Sequence, residues 1–318
     1  MTRSIQERTG LLSGQTLHHY RILSRIESDE PGELYRAEDL RHTRTVAVRI
    51  LPDTLIRDGE TRERYVQGVR AASALDHPNI CAVADIAETD DGRVFVAMVC
   101  YTGETVREKL HRGPLAVEIS IAIARQMAEG LAIAHDHGII HGHLNPSSIM
   151  VTEDGVVKML DFGLPQESSG RDEARVTGET TPEYRAPEQL HGDLPDERSD
   201  IWTFGLILYE MLTGIIPFRG RSPSGRMATV VAEDLAEPAA LREEVPGSLS
   251  HLCRRCLQSD PHLRPQSMSE VQSLLGHWPF EVTTEGQSFW NRVRGRYIAL
   301  GVGLLIVLTA LLVLLFSR

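Results

Sequence analysis

The hydrophobic pattern changes character near Gly103. Before it, short β-branched or aromatic-containing runs are divided by turn residues: Tyr20 to Ile26, Glu33 to Ala37, Thr45 to Leu51, Ile80 to Ala87 and Arg93 to Val99. Such runs read as strands. Glu60 to Leu75 reads as a helix that stops at His77-Pro78-Asn79, because a helix rarely runs through the residue before a proline. After Gly103 the period lengthens. Val117 to His137 places Ile119, Ile123, Met127, Leu131 and Ala134 on one face, and Gly138 suits its C-terminal cap. Ser199 to Thr213 is apolar in nearly every direction, which predicts a helix buried all round and ended by Gly214. Shorter helices are predicted at 222–234, 248–257 and 267–276. The chain therefore reads as α+β: a polar leader (1–19), a five-stranded part with one helix (20–103), a mainly helical part (104–277) and a polar connector (278–296).

The end of the chain has another pattern. Tyr297 to Phe316 is a run of 20 residues without a charge. At about 1.5 Å per residue it reaches about 30 Å, the thickness of a bilayer core. Arg292, Arg294 and Arg296 precede it, which places that side in the cytoplasm. The expectation is a C-terminal transmembrane helix at 297–316, a single-pass anchor in the inner (cytoplasmic) membrane, with the folded part in the cytoplasm. Only Ser317-Arg318 follow, and the first residues carry no apolar run, so neither an outside sensor domain nor a secretory signal is expected. Ala299 and Gly303 form one small-x-x-x-small pair, which makes a homodimer one option.

Charge and cysteine content narrow the function. A net charge of −11 argues against a nucleic-acid partner, which requires a basic footprint. Four cysteines (Cys81, Cys100, Cys253, Cys256) are too few for a disulfide scaffold and suit a reducing compartment. Cys253 and Cys256 have metal-like spacing but no second pair, and they fit a buried helix face better.

The candidate chemistry lies between the long helix and the next strand, in Ile139-Ile140-His141-Gly142-His143-Leu144-Asn145-Pro146-Ser147-Ser148-Ile149-Met150, followed by Asp161-Phe162-Gly163. With Thr45-Val46-Ala47-Val48-Arg49, Ala186-Pro187-Glu188, Asp200 and Asp260-Pro261-His262-Leu263-Arg264-Pro265, this order resembles the Ser/Thr protein kinases, and the bacterial group in wording. The resemblance runs from about Tyr20 to about Leu275 and implies a two-lobed kinase-like fold. It also implies a catalytic loop at 139–150, a metal turn at 161–163, and an ATP site touching Arg49, Met98, Cys100 and Asp161. His141, Phe162, Gly163, Glu188, Asp200 and Arg264 fall at positions that support the fold in that family.

The departures gather where phosphate would be handled. The family's Gly-x-Gly-x-x-Gly turn reads Glu27, Asp29 and Gly32, with Glu30, Pro31 and Glu33 beside them. A carboxylate about 4 Å from a phosphate oxygen costs about 4 kcal/mol at an effective dielectric near 20. Arg49 replaces the strand lysine, and Gly68 stands where its helix glutamate is expected, with Glu63 on another face. An Arg49–Asp161 pair is the structural use expected of that arginine. His143 replaces the catalytic carboxylate, Asn145 the loop lysine, Ser148 the magnesium-binding amide and Gly142 the arginine that orders a phosphorylated segment containing Thr177, Thr180 and Thr181. His143 could act as a base, and Asp161 with Ser148 is the remaining metal pair. The expectation is a membrane-tethered pseudokinase without cofactor that binds a protein partner, an active kinase being one option. The alternatives are a weak ATP- and magnesium-dependent kinase using His143 and Asp161, or an ATP-binding fold without catalysis.

Overall fold

The computed structural model describes residues 13–26, 32–51, 59–89, 92–162, 182–217 and 235–276. All belong to one unit, Met1–Gly276. Its first part is an antiparallel sheet of β1 (Thr16–Leu17), β2 (Tyr20–Ile26), β3 (Glu33–Asp39), β4 (Arg44–Ile50), β5 (Val83–Glu88) and β6 (Val94–Val99). The order is β1-β2-β3-β4-β6-β5, one strand more than the five expected. Thr16 and Leu17, assigned to the polar leader, fold back against Arg21 and Tyr20, and His18 takes a φ of 53° at the turn between them.

Strand alternation gives this sheet two apolar faces. Val46, Val48 and Ile50 pack with Tyr35, Ala37 and Phe95 on one side. Ala47 points the other way, into a cluster with Val96, Met98 and the residues Tyr65 and Val69 of α1 (Gly59–Ser73). Burying each of the larger apolar side chains, such as Val46, Ile50, Phe95 and Met98, contributes about 1.5–3 kcal/mol. Arg49 is on the Ala47 face by the same period of two, which turns its guanidinium toward the second part.

That part begins with a small sheet, β7 (Gly103–Thr105), β8 (Ile149–Thr152) and β9 (Val157–Met159), in the order β7-β8-β9. Its helices are α2 (Val106–Leu110), α3 (Val117–Asp136), α4 (Pro187–His191), α5 (Glu197–Thr213), α6 (Pro238–Leu241), α7 (Gly247–Cys256) and α8 (Met268–Gly276). A reciprocal Thr105–Glu108 box starts α2. Asp196 caps α5, and Gly214, at φ 74°, ends it. Every residue of α5 from Ser199 to Leu212 is buried, as its lack of a polar face predicts. At Gly205 a Cβ would stand 2.5 Å from the Cβ of Cys256, so the missing side chain is what lets α7 close on α5.

One position of the long helix departs from expectation. Ile123, Met127, Leu131 and Ala134 are buried, but Ile119 is 51 % exposed. Steps of four residues overshoot a 3.6-residue turn by about 40°, so Ile119 falls off the edge of the buried face. The helix predicted at 222–234, the connector and the 297–316 segment lie outside the described residues. Among the described residues, no helix is long and apolar enough to cross a membrane.

Candidate functional site

The loop 139–148 leaves α3 through Gly138 (φ 70°) and is fixed from below by the first turn of α5. Asp200 Oδ1 accepts from Gly142 N at 2.8 Å. Its Oδ2 accepts from His141 N at 2.8 Å and pairs with His135 Nε2 at 2.9 Å. Burial alone would raise the Asp200 carboxyl. The His135 hydrogen bond and the neighbouring imidazoles outweigh that and hold it below the ordinary carboxylate range. Gly142 takes a φ of 78°, and its carbonyl accepts from Gln189 Nε2 at 2.7 Å. His141 is fully buried, donates through Nε2 to Leu160 O at 2.9 Å and lies 4.5 Å from the Phe162 ring.

The residues at the chemical positions of this loop bond within it. Asn145 Oδ1 accepts from Ser147 N at 2.8 Å, and Asn145 Nδ2 donates to His143 O at 3.2 Å. Ser148 Oγ donates to Asn145 O at 2.9 Å and accepts from Asn145 N at 3.1 Å. The hydroxyl expected to face a metal therefore closes the 3-10 turn Pro146–Ser148. His143 is set beside His141, their rings 5.4 Å apart. Its Nε2 is buried with no hydrogen-bond partner among the described residues. Burial, and then the nearby His141, push the His143 imidazole down to about 3. It is neutral at physiological pH, but a base so weak has little capacity to take a hydroxyl proton.

Across the cleft, Arg49 Nη2 donates to Asp161 Oδ2 at 3.0 Å, and both side chains are only 3 % exposed. This is the pairing expected of Arg49. Asp161 holds a φ of 62°, a region that only glycine enters freely. Tyr65, three residues before Gly68 on α1, lines the same pocket as Arg49, Asp161, Met98 and Phe162. Burial, and then the Asp161 charge, push its phenol well above the ordinary range. Met98 is buried at the end of β6, and Cys100 is half-buried just beyond it. Of the acid-rich turn, residues 27–31 lie outside the described set. Glu33 belongs to β3 and has Arg93 Nη1 3.6 Å from its carboxylate, so its charge is balanced rather than free. Gly163 and the three activation-segment threonines also lie outside the described residues.

The supporting motifs form one network below the loop. Arg264, buried and stacked 5.0 Å from the Trp202 ring, donates to both Glu188 oxygens at 2.8 and 2.9 Å. Ser199 Oγ donates to the same carboxylate at 2.7 Å. Burial works against the charged form, but Arg264 and Ser199 hold Glu188 below its ordinary range. Three contributors were not read from the sequence: His135, Gln189 and Tyr65. Only Tyr65 left a signal, since it sits one helical step of four before the apolar Val69.

Comparison with known proteins agrees with this geometry. A family model described as the protein kinase domain matches residues 20–278. The serine/threonine-protein kinase PknB of Mycolicibacterium smegmatis is 36% identical over 253 residues, 77% of this chain and 40% of that protein. The serine/threonine-protein kinase pkn3 of Myxococcus xanthus is 33% identical over 275 residues, 82% of this chain and 50% of that protein. The chain thus spans half or less of the length of these curated relatives. The crystal structure of the Mycobacterium tuberculosis PknI kinase domain matches the fold with a TM-score of 0.68 at 24% identity, covering 84% of this chain and 99% of that one. With the order of its motifs, its two-part fold and a family match over residues 20–278 in agreement, the chain belongs to the protein kinase domain family.

Proposed function

We propose that this chain is a pseudokinase: a kinase fold that has given up phosphoryl transfer and acts as a scaffold or regulator for a protein partner in cytoplasmic signalling. The observation that carries this reading is the Arg49–Asp161 pair. The two groups that would meet phosphate and magnesium hold each other at 3.0 Å, with both side chains only 3 % exposed. Leaving one member of a buried pair uncompensated costs about 3–5 kcal/mol, so a ligand that separates Arg49 from Asp161 has to supply replacement contacts for both. Ser148 Oγ is engaged by Asn145 N and O and Asp161 by Arg49, so these residues as arranged do not fit a magnesium ion and no catalytic step is routed through one. His143, weakened as a base, fits a cleft residue better than a catalyst. Residues 297–316 would tether the protein to the inner membrane, and a homodimer or an active kinase would be its partner.

The test is a thermal melt of the full chain with millimolar ATP and Mg²⁺ or Mn²⁺, followed by incubation with radiolabelled ATP and generic protein substrates. The reading expects no shift and no incorporation. Incorporation that disappears in Asp161→Ala would overturn it. A second reading, a serine/threonine kinase of low activity, is favoured by the retained Asp161-Phe162-Gly163 and by relatives named as serine/threonine kinases. A melt that shifts without turnover would instead mark an ATP-binding, non-catalytic protein.

A further inference from the structure

The pairing of β5 with β6 brings two of the four cysteines face to face. Val83 is opposite Met98, so, counting outward, Ala82 faces Val99 and Cys81 faces Cys100. The register continues past the strand ends, because Val99 N donates to Ala82 O at 3.0 Å. Alternation puts Cys81 on the Val83 face and Cys100 on the Met98 face, and Cys81, Val83 and Met98 line one pocket. Cys81 Sγ lies 4.0 Å from Val99 O, the carbonyl of the peptide that leads into Cys100. Cys100 packs against the apolar cluster that contains Cys81. Residues directly opposite in antiparallel strands have Cα atoms about 4.5–5.5 Å apart, inside the roughly 4.4–6.8 Å span of a disulfide.

We infer that Cys81 and Cys100 form a reversible, redox-sensitive disulfide that clamps the rim of the cleft. Both thiols are free in this structure. In a reducing compartment that is the resting state, and disulfides there are commonly transient and redox-sensing. The oxidant is a low-molecular-weight disulfide. The thiolate of half-buried Cys100 attacks one of its sulfurs, forming a mixed disulfide and releasing one thiol. Cys81, losing its proton to solvent, then attacks the Cys100 sulfur and releases the second thiol. The net change is two protein thiols and one small disulfide giving one protein disulfide and two small thiols. Burial, and then the Asp161 charge, push the Cys81 thiol up to about 12, which makes Cys100 the initiating sulfur and the second step the slow one.

The bridge would act on the join between the two parts of the fold. Cys81 N already donates to Met159 O at 2.8 Å, so a bond to Cys100 would tie the end of β6 to β9 through a single residue. Met98, Cys100 and the stretch to Gly103 would then be held as one rigid edge. This inference goes beyond the proposed function and does not depend on whether nucleotide binds.

The full chain is titrated with glutathione disulfide against glutathione, alkylated and mapped by mass spectrometry. The expected result is a Cys81–Cys100 cross-linked peptide, reversed by dithiothreitol, with Cys253 and Cys256 still alkylated as thiols after unfolding. The melting midpoint should rise by about 4–10 °C on oxidation and stay put in Cys100→Ser. In Cys81→Ala, Cys100 should stop at the mixed disulfide with glutathione. If that variant does not fold, Cys100→Ser at the half-buried position carries the test alone. A stable mixed disulfide at Cys100 in the unmodified chain, a Cys253–Cys256 bridge formed first, or a cross-link only between chains would overturn the inference.

Discussion

The Arg49–Asp161 pair can be weighed by a double-mutant cycle. At 3.0 Å and an effective dielectric near 20, Coulomb attraction is about 5 kcal/mol. Desolvation of two side chains that are 3 % exposed cancels part of it, so the pair contributes less in net terms than it costs to break. Asp161→Ala leaves a guanidinium buried without its carboxylate and should destabilise by about 3–5 kcal/mol. Arg49→Met leaves the carboxylate in the same position. The double variant removes both charges and should be more stable than the sum of the single losses predicts, by about 2–4 kcal/mol. For a domain of roughly 150–250 residues, each kcal/mol moves the melting midpoint by about 2–4 °C, so each single variant should melt about 6–20 °C lower. Urea unfolding gives the free energies, and thermal melts check them. A coupling below about 0.5 kcal/mol, with additive single losses, would refute the reasoning. The two groups would then be available to a ligand, and the case for an idle cleft would lose its physical basis.

Three further outcomes follow from the same network. Arg264→Ala should cost about 3–5 kcal/mol in urea unfolding, and Arg264→Lys should recover little of it, because an ammonium cannot make the two parallel bonds to Glu188. Ser148→Ala leaves Asn145 N and Asn145 O without the hydroxyl they share and should cost about 1–3 kcal/mol; the loss should be the same in Mg²⁺ and in chelator if the hydroxyl serves the loop rather than a metal. His141 and His143 are both held below the ordinary histidine value, chiefly by burial. The unfolded chain therefore binds their protons first as pH falls. Stability from this source is complete above about pH 6.5 and declines below it by up to about 1.4 kcal/mol per pH unit for each histidine. The decline should already be visible between about pH 6.5 and 5.5, above the range where Glu188 and Asp200 take up protons in the unfolded chain, and His143→Asn should reduce the slope there by up to one proton.

Elements whose cause is periodic were legible in the chain, and those whose cause is contact were not. α5 could be read because a helix with no polar face has one stable place, inside. Arg49 could be aimed because a period of two in β4 leaves a single cleft face. β1 could not be read, since Thr16-Leu17 is too short to show a period and exists through its pairing with Arg21 and Tyr20. Ile119 was misplaced because an apolar residue at a spacing of four looks the same whether it lies at the centre or the edge of a helical stripe.

The candidate site shows the same division at the level of single atoms. The substitutions at His143, Asn145 and Ser148 were visible as departures, but departure alone leaves each residue open to a new chemical role. Contact narrows that choice. The Ser148 hydroxyl bonds Asn145 N and O, the Asn145 amide bonds Ser147 N and His143 O, and the loop that carries them hangs from Asp200 at Gly142 and His141. A loop that needed to present a magnesium ligand and a cation to phosphate would point those side chains outward into the cleft and leave their polar atoms to be satisfied by the ligand. Here those atoms are satisfied from within, whereas His143 Nε2 is left without a described partner. Self-satisfied loops gain rigidity and lose the unsatisfied groups that binding would reward. Such a loop keeps its own shape whether or not anything enters the cleft.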